Sequence, residues 1–139
     1  MTPQEKEAIA RRQTKQRTII LTYLKSVKIH PTAETVYNNV IKQMPRITLA
    51  TVYRNLNLLA KEGEILRLEI NKEYRYDADI SYHQHGVCQH CNKVFDFFQK
   101  NITMYALRKL VSKQFQPTSV EVIYKGCCKN CQNDCLKKN

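Results

Sequence analysis

The chain has 139 residues, 42% of them hydrophobic and 25% charged, and a formal net charge of +11. That length holds one modest domain or two small ones, and the balance is that of a folded chain rather than a disordered one. No run reaches the ~18 apolar residues of a membrane span, and the opening Met-Thr-Pro-Gln-Glu-Lys-Glu has no apolar signal core, so a cytoplasmic location with no membrane partner is expected.

The basic excess leans toward the N-terminal half, where residues 1–63 carry 11 Lys and Arg against 4 Asp and Glu. A surplus of this kind favours a polyanion through counterion release, and nucleic acid is the commonest one in that compartment. Taken alone it is equally a solvated surface.

In chain order, Gln16 to Val27 reads as a helix, with Ile19, Ile20, Tyr23, Leu24 and Val27 recurring at three- and four-residue steps. A second helix is predicted from Pro31 at its first position through Val36, Val40, Ile41 and Met44 to a stop at Pro45. A third follows, with Thr48 as N-cap, a stripe of Leu49, Val52, Leu56 and Leu59, and Gly63 at the C-terminal cap. Three short helices on tight links fit a helix-turn-helix core.

After Gly63 the period changes from helix to strand. Ile65, Leu66, Leu68 and Ile70, a polar turn at Asn71-Lys72, then Tyr74 and Tyr76 predict a hairpin, or wing. Residues 1–78 are thus expected to be a winged-helix DNA-binding domain and 79–82 a linker. Beyond it, strand pattern at Gly86-Val87 and Val94 to Phe98, an amphipathic helix from Met104 to Phe115 and a strand from Ser119 to Tyr124 make 83–139 a small α/β domain, so that the whole chain is α+β. The tail is rich in lysine.

Two Cys-x-x-Cys pairs, Cys88/Cys91 and Cys128/Cys131, enclose 36 residues. Each pair can bend two thiolates onto one ion, and two pairs complete a closed tetrahedral sulfur shell, which predicts a structural Zn2+ site whose binding free energy is folding free energy. Buried apolar cysteines, disulfides or a thioredoxin-like redox pair are disfavoured in a reducing compartment. Cys127, beside Cys128, is an alternative fourth ligand, and Cys135 lies in the tail.

On the third helix, Thr51, Tyr53 and Arg54 face away from the apolar stripe, where a major groove would meet them. Arg pairs bidentately with guanine, and a methyl or ring contacts the thymine methyl, so these three are the candidate base readers. The bland role for Tyr53 is core packing. Arg12, Lys15 and Arg17 are candidates for phosphate or minor-groove contacts, or for plain solubility.

His83 and His85 form the only His-x-His among four histidines, and residues two apart in an extended segment share one face. Imidazoles joined by carboxylates suit borderline ions such as Fe, Mn or Zn.

Thr14-Lys15-Gln16-Arg17, His30-Pro31-Thr32-Ala33-Glu34, Ala50-Thr51-Val52-Tyr53-Arg54-Asn55-Leu56 and His83-Gln84-His85-Gly86-Val87-Cys88-Gln89-His90-Cys91 together resemble the ferric uptake regulator (Fur) superfamily in order and spacing. The resemblance implies a winged-helix DNA-binding domain, a C-terminal α/β dimerisation domain, and a homodimer that represses genes from a double-stranded DNA operator when its regulatory metal is bound. The peroxide-sensing (PerR) branch is similar in using three histidines and two aspartates around that ion. Here the matching residues are His30, Asp77, His83, His85 and Asp96, with Fe2+ or Mn2+ as the implied regulatory metal and His30 or His83 as the implied site of oxidation. Iron sensors usually carry Glu in place of the two aspartates. Tyr82, Gln84 and Val120 stand where a further ligand cluster is common, so one regulatory site per subunit is implied.

An iron- or zinc-uptake regulator is the nearest alternative, and Arg54, where some peroxide sensors have Asn, points toward the iron type. Outside the class stands an architectural zinc protein that binds nucleic acid, which would leave the histidines and aspartates idle. An enzyme is not expected. No Ser/His/Asp set, Glu-assisted zinc motif or glycine-rich phosphate loop accompanies His83 and His85, only three glycines occur in the chain, and no organic cofactor is implied.

Overall fold

The computed structural model describes residues 1–137, which divide into two compact units between Ile80 and Ser81. Lys138 and Asn139, the end of the Lys-rich tail, lie outside the described residues.

The first unit opens with helix α1, Pro3–Ser26, which starts thirteen residues before the predicted Gln16. Residues 3–15 are exposed all round, so no apolar stripe announces them. Their helix is set by its end: Thr2 and Glu5 form a reciprocal capping box, Pro3 sits in the first turn, and Glu5 complements the helix dipole. Only the later turns bury a face, through Gln16, Ile20 and Leu24.

Helix α2, Ala33–Val40, is shorter than expected at both ends. Its N-cap is Thr32, whose hydroxyl accepts from the Thr35 N–H, so Pro31 lies just outside; residues beyond Val40 continue as turns in which the Ile41 and Met44 N–H groups donate to Tyr37 and Val40. Helix α3, Leu49–Lys61, has Thr48 as its N-cap, accepting from the Thr51 N–H. Gly63 at φ 75° ends it: the Glu64 N–H reaches the Leu59 carbonyl and the Gly63 N–H that of Ala60, the two bonds of a Schellman motif.

Strands β1, Leu66–Ile70, and β2, Glu73–Asp77, pair antiparallel in the register Leu66 to Asp77 through Ile70 to Glu73. Asn71 and Lys72, at φ 51° and 65°, form the two-residue turn, whose left-handed pair matches the twist of the strands. Ile20, Leu24, Val36, Val40, Val52, Leu56, Leu59, Ile65 and Tyr76 make one continuous core, each large apolar side chain contributing about 1.5–3 kcal/mol on burial. The wing is sewn to the helices by the Tyr76 N–H, which donates to the Pro31 carbonyl at 3.0 Å.

The second unit is a three-stranded sheet in the order β4-β3-β5. Strand β3, Gln84–Cys88, is central, antiparallel to β4, Val94–Phe97, and parallel to β5, Ile123–Gly126. The parallel crossover carries helix α4, Lys100–Lys109, rather than the predicted Met104 to Phe115. The predicted strand Ser119 to Tyr124 also moves. Residues 119–122 have the β-branched composition, but the pairing with β3 begins only at Ile123, because a strand is defined by its partner more than by propensity. A single 3₁₀ turn, Lys129–Cys131, leads into α5, Gln132–Leu136.

Among its described residues the second unit buries few apolar side chains, Cys88 and Cys131 being the buried ones, while Phe97, Phe98, Tyr105, Leu110, Val111, Phe115 and Tyr124 are exposed. No helix among the described residues is long and apolar enough to cross a membrane.

Candidate functional site

Cys88 ends β3, where the Gln89 N–H donates to the Gly126 carbonyl at 2.8 Å and so ties the first cysteine knuckle to β5. Asn92 at φ 60° turns the chain back, with its N–H on the Cys88 carbonyl at 2.8 Å. The second knuckle closes through the Cys131 N–H and the Cys128 carbonyl at 2.9 Å. The ligand atoms of Cys88, Cys91, Cys128 and Cys131 all lie within 4.8 Å of one another. Cys91 Sγ and Cys128 Sγ are 3.8 Å apart. Four sulfurs ~2.3 Å from a central ion form a tetrahedron with edges of about 3.8 Å, so the spacing fits zinc.

The electrostatics fit as well. The backbone N–H groups of Cys128 and Cys91 bring the Cys88 thiol down to about 6, whereas its hydrogen-bonded Cys128 neighbour and burial push Cys131 up to about 12. One thiolate forms readily and the last is opposed by the others; a divalent cation relieves that opposition. Cys127, the alternative ligand, is placed elsewhere, in a disulfide with Cys135.

Two imidazole–carboxylate clusters are built separately. In the first unit, buried His30 precedes Pro31, and β2 holds its backbone: Arg75 Nη1 donates to the His30 carbonyl at 3.2 Å. Asp77, at the end of β2, then lies with Oδ2 3.2 Å from His30 Nε2. In the second unit, alternation along β3 sends His83, His85 and Val87 to one face and Gln84, Gly86 and Cys88 to the other. Register brings Asp96 of β4 opposite His85. Its Oδ1 is 3.4 Å from both His83 Nε2 and His85 Nε2. The His83 Nδ1–H points at the Ser81 carbonyl, 2.7 Å away, which leaves the lone pair on Nε2, the tautomer expected of a metal ligand oriented by a carbonyl. Phe98 stacks on the His83 ring at 5.1 Å and fixes its plane. Lone-pair atoms at 3.2–3.4 Å suit donors ~2.1 Å from a shared cation.

Gln84, between the two histidines and fully buried, was not singled out by the sequence as a structural clip. Its Oε1 accepts from the Gln99 N–H at 3.0 Å, and its Nε2 donates to the Gln99 carbonyl at 2.8 Å and to Thr103 Oγ1 at 2.9 Å. It therefore caps α4 from β3, in place of a side chain at Gln99. Arg75 was missed in the same way, since nothing in the spacing marks a charged strand residue as the holder of a distant carbonyl.

On α3, Tyr53 and Arg54 are exposed, whereas Thr51 is half-buried with its hydroxyl 2.9 Å from that of Thr48 in the cap. Arg12 and Lys15 are exposed on α1 and, with Arg11 and Arg46, line a cavity of about 610 Å³. Arg17 differs from them: it is ion-paired with Glu62 and Glu64, and serves to fasten α1 to the end of α3.

A winged three-helix unit with a basic exposed face, in one chain with a small unit built around sulfur and imidazole–carboxylate clusters, is the architecture of a metal-binding transcriptional regulator. The Ferric uptake regulator family model matches residues 9–125, and the chain belongs to that family. It is 32% identical over 123 residues to the peroxide-responsive repressor PerR of Staphylococcus aureus, covering 88% of this chain and 83% of that protein. The Campylobacter jejuni peroxide stress regulator is similar in structure, with a TM-score of 0.81 and 29% identity over 94% of this chain and 100% of that one. The Helicobacter pylori ferric uptake regulator Fur, described as having three functional metal binding sites, gives a TM-score of 0.75 at 29% identity over 91% and 89%.

Proposed function

We propose that the chain is a cytoplasmic, homodimeric repressor that binds operator DNA when Fe2+ or Mn2+ occupies a regulatory site, and that releases it when the iron form meets peroxide. The observation that carries this reading is the opposition of lone-pair atoms in the two imidazole–carboxylate clusters, His30 with Asp77 and His83 and His85 with Asp96. Three imidazoles and two carboxylates suit a borderline divalent ion, while Cys88, Cys91, Cys128 and Cys131 suit a closed structural zinc site. Similarity to peroxide-responsive regulators supports the oxidant, and the exposed aromatic and aliphatic side chains of α4 and the sheet support a second copy as partner.

In this reading His30 and Asp77 contribute from the helical unit and His83, His85 and Asp96 from the other, so ligation fixes the spacing at which a dimer presents its two α3 helices to successive half-sites. Tyr53, Arg54 and Thr51 read bases there, and Arg12 and Lys15 serve the backbone, a role open to Arg17 only where its ion pairs with Glu62 and Glu64 part. Iron(II) held by these residues would supply the electrons that cleave the peroxide O–O bond. His30 or His83 gains one oxygen in place of a ring C–H hydrogen, water leaves, and the altered imidazole ligates poorly.

The test selects duplexes from a random-sequence pool with the Mn-loaded chain, then measures their binding by the apo, Mn and Fe forms before and after hydrogen peroxide. Metal should strengthen binding, and peroxide should abolish it for iron alone, with one added oxygen on the peptide of His30 or His83. Affinity indifferent to metal would instead favour the architectural reading. Iron dependence without any response to peroxide would favour an iron sensor, toward which Arg54 points.

A further inference from the structure

We infer that Cys127 and Cys135 form a reversible thiol–disulfide pair, chemically distinct from the four-sulfur cluster, which a hydroperoxide closes and which then pins the turn carrying Cys128 and Cys131. Its effect on metal retention rests on the zinc reading above; the pairing itself does not.

The partition of the cysteines comes from the backbone. Cys128 is extended, with φ −73° and ψ 160°, so neighbouring side chains diverge. Cys128 turns toward Cys91, while Cys127 turns toward Cys135, with which it is bonded across a Cα separation of 6.4 Å, inside the span a disulfide bridges. Cys131 and Cys135 are four apart across the start of α5, near one face of that turn, yet Cys131 is buried in the cluster and Cys135 is only part-buried. Cys127 Sγ also lies 3.2 Å from the Cys131 carbonyl oxygen, an acceptor within reach of the thiol once the bond to Cys135 is reduced. Both members of the pair are partly exposed, so a small oxidant can reach them.

The chemistry balances without the cluster. One thiolate attacks a peroxide oxygen, the O–O bond breaks, and an alcohol or water leaves a sulfenic acid behind. The second sulfur attacks the sulfenic sulfur, the S–S bond forms, and water leaves; the two cysteines have lost two electrons and the hydroperoxide has gained them. The closed ring contains Cys128 and Cys131, two of the four cluster sulfurs. Oxidation therefore narrows the freedom through which those sulfurs would swing away from zinc.

The test uses the full, reduced, zinc-loaded chain. It is treated with stoichiometric hydrogen peroxide, alkylated and mapped by peptide mass spectrometry, while zinc loss to a chromogenic chelator is timed. The expected product is a Cys127–Cys135 crosslink with the other four cysteines intact, zinc retained, and reversal by dithiothreitol. Zinc should leave the oxidised chain about tenfold more slowly than the reduced chain, and Cys135→Ser should lose both the crosslink and the difference. A crosslink through Cys88, Cys91, Cys128 or Cys131, no crosslink at all, or equal release rates would overturn the inference. A reduced chain that holds no zinc would sink the zinc reading instead, and the crosslink map would still decide the pair.

Discussion

His85 and Asp96 are cross-strand partners on the β3–β4 ladder, and His85 Nε2 lies 3.4 Å from Asp96 Oδ1. Directly opposed side chains on one sheet face are held by the ladder itself, so this donor pair is positioned before any ion arrives. Asp96→Asn keeps the size and removes the charge. Manganese affinity should fall by about tenfold or more by equilibrium dialysis, with the circular dichroism spectrum unchanged. Unaltered affinity would reduce Asp96 to a strand-pairing role.

The second unit buries few apolar side chains among its described residues, so an ion held by its four-sulfur cluster would supply a large share of its stability. Cys91→Ser removes one exposed ligand without disturbing packing. The variant should lose its zinc on purification and show a lower melting transition, whereas chelation should change the wild-type chain in the same direction. Equal melting of variant and wild type would argue that the tetrad is incidental.

How far these features could be read beforehand depends on whether their cause is local. Thr48, Gly63 and the Asn71-Lys72 turn act through bonds to neighbours a few residues away, and their signals stood in the sequence. The first turns of α1 had no such stripe and were invisible to periodicity, although Thr2 and Glu5 had the capping-box spacing. The start of α4 and the start of β5 were misplaced because those limits are set by Gln84 and by the register of β3, both distant in sequence. Residue types at the metal-type clusters were legible; the opposition of Asp96 to His85, the holding of His30 by Arg75 and the pairing of Cys127 with Cys135 required the fold.

Arg17 tests a competition between two uses of one cation. Hydrogen bonding to Arg17 lowers the Glu62 carboxyl below its ordinary value of 4.5. A depressed carboxyl contributes stability above its unfolded value and loses it as pH falls through the lower folded one. The melting gap between wild type and Arg17→Met should thus be constant from about pH 8 to about pH 5 and close below about pH 4. Were Arg17 chiefly a phosphate contact, the variant would instead lower the salt dependence of DNA binding by about one ion with little change in melting.

Lys72 occupies a left-handed turn position without the glycine that such a site favours. Relief of that strain is worth about 1–2 kcal/mol, and the added freedom of glycine in the unfolded chain takes back about 0.5–1 kcal/mol. Lys72→Gly should stabilise the first unit by roughly 0.5–1 kcal/mol in urea denaturation, and Lys72→Val should destabilise it. The opposite order would mean that Lys72 is held by contacts outweighing its backbone cost.

Strand β3 hands nitrogen donors to one side of its sheet and, one residue on, the α4 clip and the first sulfur to the other. A side-chain period of two makes this allocation a matter of parity. With Cys88 held at its knuckle, deleting or inserting a single residue between His85 and Cys88 would exchange the sides, pointing glutamine toward Asp96 and histidine toward the helix, whereas a change of two would preserve the assignment. Length variation along this stretch is therefore tolerable only in even steps.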